Sequence, residues 1–68
     1  MNYDEASKLV GRTAQHKHVD TLRVKIRSVG EVSQANGGAP KIDITVLNQF
    51  GEPDTWDADE FISSWYII

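Results

Sequence analysis

The sequence predicts a mainly β fold: a small barrel or curved antiparallel sheet, with a short N-terminal α-helix and a helical turn before the last strand. Three observations predict it. Residues 21–29 and 41–47 alternate apolar and polar side chains with a period of two. Between them lies Ala35-Asn36-Gly37-Gly38, a turn signal, because Asn and Gly tolerate the positive φ that tight hairpins need. The chain ends on Trp65-Tyr66-Ile67-Ile68, four apolar residues of high strand propensity.

The first element is a helix. Asn2 is placed to cap the backbone of Glu5, and the Glu5 side chain to reach back to Asn2. Tyr3, Ala6, Leu9 and Val10 recur at spacings of three and four, and Gly11 can end the helix in the left-handed conformation. About two turns cannot persist alone, so packing must hold them. Residues 12–20, RTAQHKHVD, lack apolar periodicity and read as a loop or the start of an edge strand.

In the first long strand Leu22, Val24 and Ile26 point to one face and Arg23, Lys25 and Arg27 to the other; Gly30 suggests a bulge or bend, and Val32 continues the inward set. After the turn, Ile42, Ile44 and Val46 point inward and Lys41, Asp43 and Thr45 outward; opposed outward charges, such as Arg27 or Lys25 near Asp43, would add a few tenths of a kcal/mol each, in a register the pattern leaves open. A turn at 48–53 leads into a short third strand, Asp54 to Trp56. Asp57 then caps a brief helix, with Asp59 and Glu60 at its positive end. The expected core is Leu22, Val24, Ile26, Val32, Ile42, Ile44, Val46, Trp56 and Phe61 with half of the WYII tail.

From Leu22 onward the order of elements resembles the SH3-like small barrels, including their Tudor-like and KOW-like branches. The stretch IDITVLNQFGEPDTWDADEFI, Ile42 to Ile62, is similar to that family's strand, turn, strand and short helix, and WYII to its closing strand. The resemblance implies a fold and no ligand. Missing are the acidic and aromatic signature by which SH3 domains bind proline-rich peptides and the KOW glycine pattern.

Size and composition bound the rest. The 68 residues make one small domain (helix 1–11, barrel 21–68), whose folding hides roughly 60% of the surface and leaves about 4,300 Å² exposed. With no cysteine there is neither disulfide nor thiolate chemistry, which suits a reducing, cytoplasmic setting. No apolar run forms a signal peptide or a membrane span. Residues 1–34 carry six basic and four acidic side chains, and residues 35–68 one and six, so the halves have opposite sign. Ordinary self-complementarity within one fold explains that.

Few constellations carry chemistry. His16-x-His18-x-Asp20 has metal-ligand flavour, but in an extended strand Asp20 stands about 13 Å from His16; a solvated loop is the simpler reading, and no metal or cofactor is expected. Asp54, Asp57, Asp59 and Glu60 read as turn and cap residues rather than catalytic acids, and Ser63-Ser64 lacks a histidine–acid partner, so no enzyme is expected. Trp56, Phe61, Trp65 and Tyr66 cluster within eleven positions, more aromatic surface than one barrel interior needs. Either the N-terminal helix covers the surplus or it forms an apolar patch of the kind found at protein interfaces.

The expected function is therefore a non-enzymatic protein-interaction module with Trp56, Trp65 and Tyr66 as anchors, and Asp57 and Asp59 orienting a basic partner. A phage or plasmid accessory protein that binds and modulates a host protein fits the size of the chain. One alternative is a nucleic-acid-binding barrel using the basic stripe Arg23, Lys25 and Arg27, although no aromatic residue alternates within that stripe. A structural homo-oligomer, such as a homodimer, is the other.

Overall fold

The computed structural model describes residues 1–35 and 37–68. Five strands, β1 (Thr13–His16), β2 (Arg23–Val32), β3 (Lys41–Leu47), β4 (Pro53–Asp57) and β5 (Trp65–Ile67), form one antiparallel sheet in the order β4-β3-β2-β1-β5. Helix α1 (Tyr3–Ser7) precedes the sheet, and α2 (Ala58–Ser64) runs between the two edge strands, packed on β3, β4 and β5. The fold is thus mainly β with both expected helices. The sheet stays open, with β4 and β5 at its two edges: β5 pairs with β1, and β4 pairs with β3.

Helix α1 is shorter than its apolar stripe suggests. Asn2 Oδ1 accepts from the Glu5 N–H at 2.8 Å, as expected for the cap. The helix then gives way to turns after Ser7, and Gly11, at φ +88°, donates its N–H to the Ile26 carbonyl at 2.8 Å. The tie to β2 takes over where a helix C-cap was expected. Ala6 is buried and Leu9 packs on the core, whereas Tyr3 and Val10 are exposed. Helix α1 lies mainly against β2 and β3, and Tyr66 and Ile68 of the WYII tail remain exposed.

Residues 13–16 form neither a loop nor an edge strand. β1 is an interior strand, paired to β2 through Ala14↔Val24 and to β5 through Ala14↔Ile67, so the sheet starts at residue 13 rather than 21. The reason the stretch carries no apolar signal is its single fully buried residue, Ala14, a small side chain between Val24 and Ile67. The ladder runs past both ends of the strand: Ile26 donates to the Arg12 carbonyl, and Lys17 to that of Ser64.

The β2–β3 register explains where the core expectations fail. Ile26 pairs with Val46, but Ser28 pairs with Thr45, so Arg27 is an extra residue, a β-bulge. One inserted residue turns the rest of the strand over. Val29, opposite buried Ile44, therefore joins the core, while Val32 turns outward at 49% exposed. The bulge lies at Arg27 and not at Gly30. It also shifts the charge pairs: Asp43 faces Gly30 on one side and Asp57 on the other, and Lys25 faces Leu47, so the expected Lys25 or Arg27 pairing with Asp43 is absent from the register.

The turn expected at Ala35-Asn36-Gly37-Gly38 includes Asn36, which lies outside the described residues. Gly37 (φ +76°) donates to the Gln34 carbonyl, and the chain reverses here within a longer connection between Val32 and Lys41. This hairpin draws the molecule out to 39 × 21 × 19 Å, with 4586 Å² exposed, somewhat above the surface expected for the mass. The observed core is Ala6, Ala14, Val24, Ile26, Ile42, Ile44, Val46, Ala58, Phe61 and Trp65. Leu22 is not part of it: just before β2, it stands 40% exposed at the rim of the sheet. No helix among the described residues is long and apolar enough to cross a membrane.

Candidate functional site

The C-terminal aromatics assemble around Trp65. Opposite His16 in the β1–β5 ladder, Trp65 is only 6% exposed. Phe61 of α2 stacks on it with ring centroids 5.7 Å apart and planes 7° from parallel. Trp56, from β4, meets both rings edge-on at 6.3 Å, and His16 closes the fourth side at 4.9 Å. Offset and edge-on contacts of this kind add roughly 0.5–1.5 kcal/mol each beyond area burial. The Trp65 Nε1 donor is buried and has no hydrogen-bond partner among the described residues.

One side of this cluster opens into a groove of about 230 Å³, lined by Leu22, Arg23, Val24, Asn48, Gln49, Phe50, Asp54, Trp56 and Trp65. The β3–β4 connection builds its outer wall. Asn48 Oδ1 accepts from the Phe50 N–H at 2.8 Å and the Glu52 N–H at 3.0 Å, and the Gly51 N–H donates to the Asn48 carbonyl at 2.9 Å. Gly51 sits at φ +78°, which a residue with a Cβ adopts only under strain. That loop holds Phe50 76% exposed, an aromatic ring presented to solvent beside half-buried Trp56. Leu22 forms the facing wall, and Asp54 and Arg23 supply opposite charges.

The anchors expected from the sequence therefore separate. Trp56 and Trp65 both line the groove; Tyr66, 44% exposed, points to the other face of the sheet, paired with Gln15. Asp57 Oδ2 accepts from the N–H groups of Asp59 and Glu60, capping α2, and Asp59 Oδ1 pairs with the Met1 amino group at 3.1 Å. Neither lines the groove. Phe50 and Leu22 were missed as site residues, although an aromatic between the turn formers Asn48 and Gly51 is itself a readable signal.

His16 Nδ1 accepts from the N–H groups of His18 and Val19 and so serves the β1–β2 turn. Among the described residues no three His, Asp or Glu side chains are grouped to hold a metal ion. Arg23, Lys25 and Arg27 are all exposed along β2. No family model, no curated protein and no solved structure matches the chain.

Proposed function

We propose that this chain is a non-enzymatic protein-interaction module of SH3-like design, whose groove between Leu22, Phe50, Trp56 and Trp65 takes one apolar side chain of a protein partner. Phe50 carries the reading. A ring left 76% exposed by a hydrogen-bonded loop, next to a second aromatic, is surface whose burial a partner can exploit. At about 230 Å³ the groove is smaller than the ~300–1,000 Å³ typical of small-molecule sites and suits a single side chain. Asp54, exposed at the lip and free of ion pairs among the described residues, favours a lysine or arginine flanking that side chain. Protein binding was also the expectation from the sequence; here its seat is the groove, with Trp56 and Trp65 as its floor and Tyr66 outside it.

The test is selection of displayed random nonapeptides on the immobilised protein, with Phe50→Ala and Leu22→Ser as paired baits. Binders with an aromatic or aliphatic residue beside Lys or Arg, lost on both variants, support the groove. Binders retained on both variants, or no enrichment at all, would overturn it.

A further inference from the structure

The outer face of the sheet carries a second arrangement, which shares Arg23 with the lining of the groove. Gln15 faces Arg23 on one side and Tyr66 on the other, so Arg23 and Tyr66 share one row of one face. The next row holds Lys25 opposite Thr13, whose carbonyl accepts from the Ile68 N–H at 2.9 Å. Arg12 joins this corner, its Nη2 donating to the Ile68 carbonyl at 3.2 Å, and the bulged, exposed Arg27 follows along β2. Strand spacing puts Tyr66 about 9.6 Å from Arg23 across the sheet, and Arg23 about 6.6 Å from Lys25 along it.

Two properties decide the occupant. First, Arg23, Lys25 and Arg27 have no carboxylate partner among the described residues, and Arg12 is tied to Ile68, although the chain as a whole is acidic at −3. Asp54 lines the groove with Arg23 but forms no ion pair with it, Asp43 and Asp57 share the row of Gly30, and Asp59 and Glu60 begin α2. Second, the aromatic residue absent from the strand itself is supplied by its neighbour two strands away. An exposed ring on the same face as unpaired guanidinium and ammonium groups offers one base a stacking platform and the adjoining phosphates their counter-charges. We infer that this face binds single-stranded nucleic acid, with a base on Tyr66 and the backbone along Arg12, Arg23 and Lys25. An apolar protein partner would leave these cations buried without partners, which is costly.

The experiment is fluorescence anisotropy of labelled 15-mer oligothymidine and oligouridine at 50 and 200 mM salt. Contact with three phosphates gives a salt slope near −2.1, so affinity should fall by about twentyfold between the two salts. Tyr66→Ala should weaken binding at least about fivefold, and Arg23→Glu with Lys25→Glu should abolish it. Phe50→Ala should leave it unchanged, which separates this face from the groove. All four side chains are exposed, so circular dichroism should report native folds. Absence of binding at 50 mM salt overturns the inference. So does binding that Tyr66→Ala leaves intact and that heparin matches, since that is plain polyanion attraction.

Discussion

His16 and Trp65 face each other across β1 and β5, with ring centroids 4.9 Å apart at an interplanar angle of 83°. The contact joins the β1–β2 turn to the aromatic cluster, because the same imidazole accepts two backbone N–H groups from that turn. Removing it strips an edge-on ring contact and leaves two donors to water. His16→Ala should therefore cost about 1–2 kcal/mol in urea unfolding. Trp65→Ala, which empties the centre of the cluster, should cost about 3–5 kcal/mol. Equal losses for the two variants would contradict this ranking.

The bulge at Arg27 makes a sharper prediction. Val29 and Val32 are the same residue type on the same strand, yet only Val29 packs on the core. Val29→Ala should cost about 1–2 kcal/mol, whereas Val32→Ala should stay within about 0.5 kcal/mol. Regular alternation from Ile26 would give the reverse order, so chemical denaturation of the two variants tests the register directly.

Asp43 and Asp57 stand directly opposite one another on β3 and β4. Like charges in that position repel, so Asp43→Asn should raise stability by about 0.2–1 kcal/mol at low salt, with the gain shrinking as salt is added. Asp57→Asn keeps the capping geometry, but Asp57→Ala should lose about 1 kcal/mol with the cap of α2. Thermal melts at two salt concentrations distinguish these effects.

The loop that presents Phe50 depends on its neighbours more than on Phe50 itself. A Cβ at Gly51 would meet no atom within 4 Å, so Gly51→Ala should cost only the backbone strain of φ +78°, about 1 kcal/mol. Phe50→Ala should leave the melting temperature unchanged, since the ring contributes little to the core. A large loss of stability in Phe50→Ala would mean that the ring is packed and not presented.

Much of this fold is legible in the sequence where side chains repeat with a period and a volume. Ile42, Ile44 and Val46 announce β3, and Asn2 and Asp57 announce the caps, because each acts through its immediate neighbours. What is hidden depends on partners far along the chain. Ala14 gives β1 no apolar pattern, and only pairing with Val24 and Ile67 places it at the middle of the sheet. Arg27 is indistinguishable from any outward residue until Val46 and Thr45 fix the register around it. Of the binding residues, Trp56 and Trp65 are visible as part of an aromatic run, while Leu22 and Phe50 become a site only when the β3–β4 loop is laid beside the start of β2. Likewise Tyr66 and Arg23, 43 positions apart in the chain, meet on one face only through Gln15.

Isotope-edited NMR of the protein with a selected peptide bearing one aromatic residue next to arginine examines the proposed groove most directly. Resonances of Leu22, Asn48, Phe50 and Gly51, and the indole N–H signals of Trp56 and Trp65, should shift together on titration, and the Phe50→Ala protein should show no such response. Shifts confined to Tyr66 and Ile68, with those signals unmoved, would contradict the assignment of the groove as the seat of the partner.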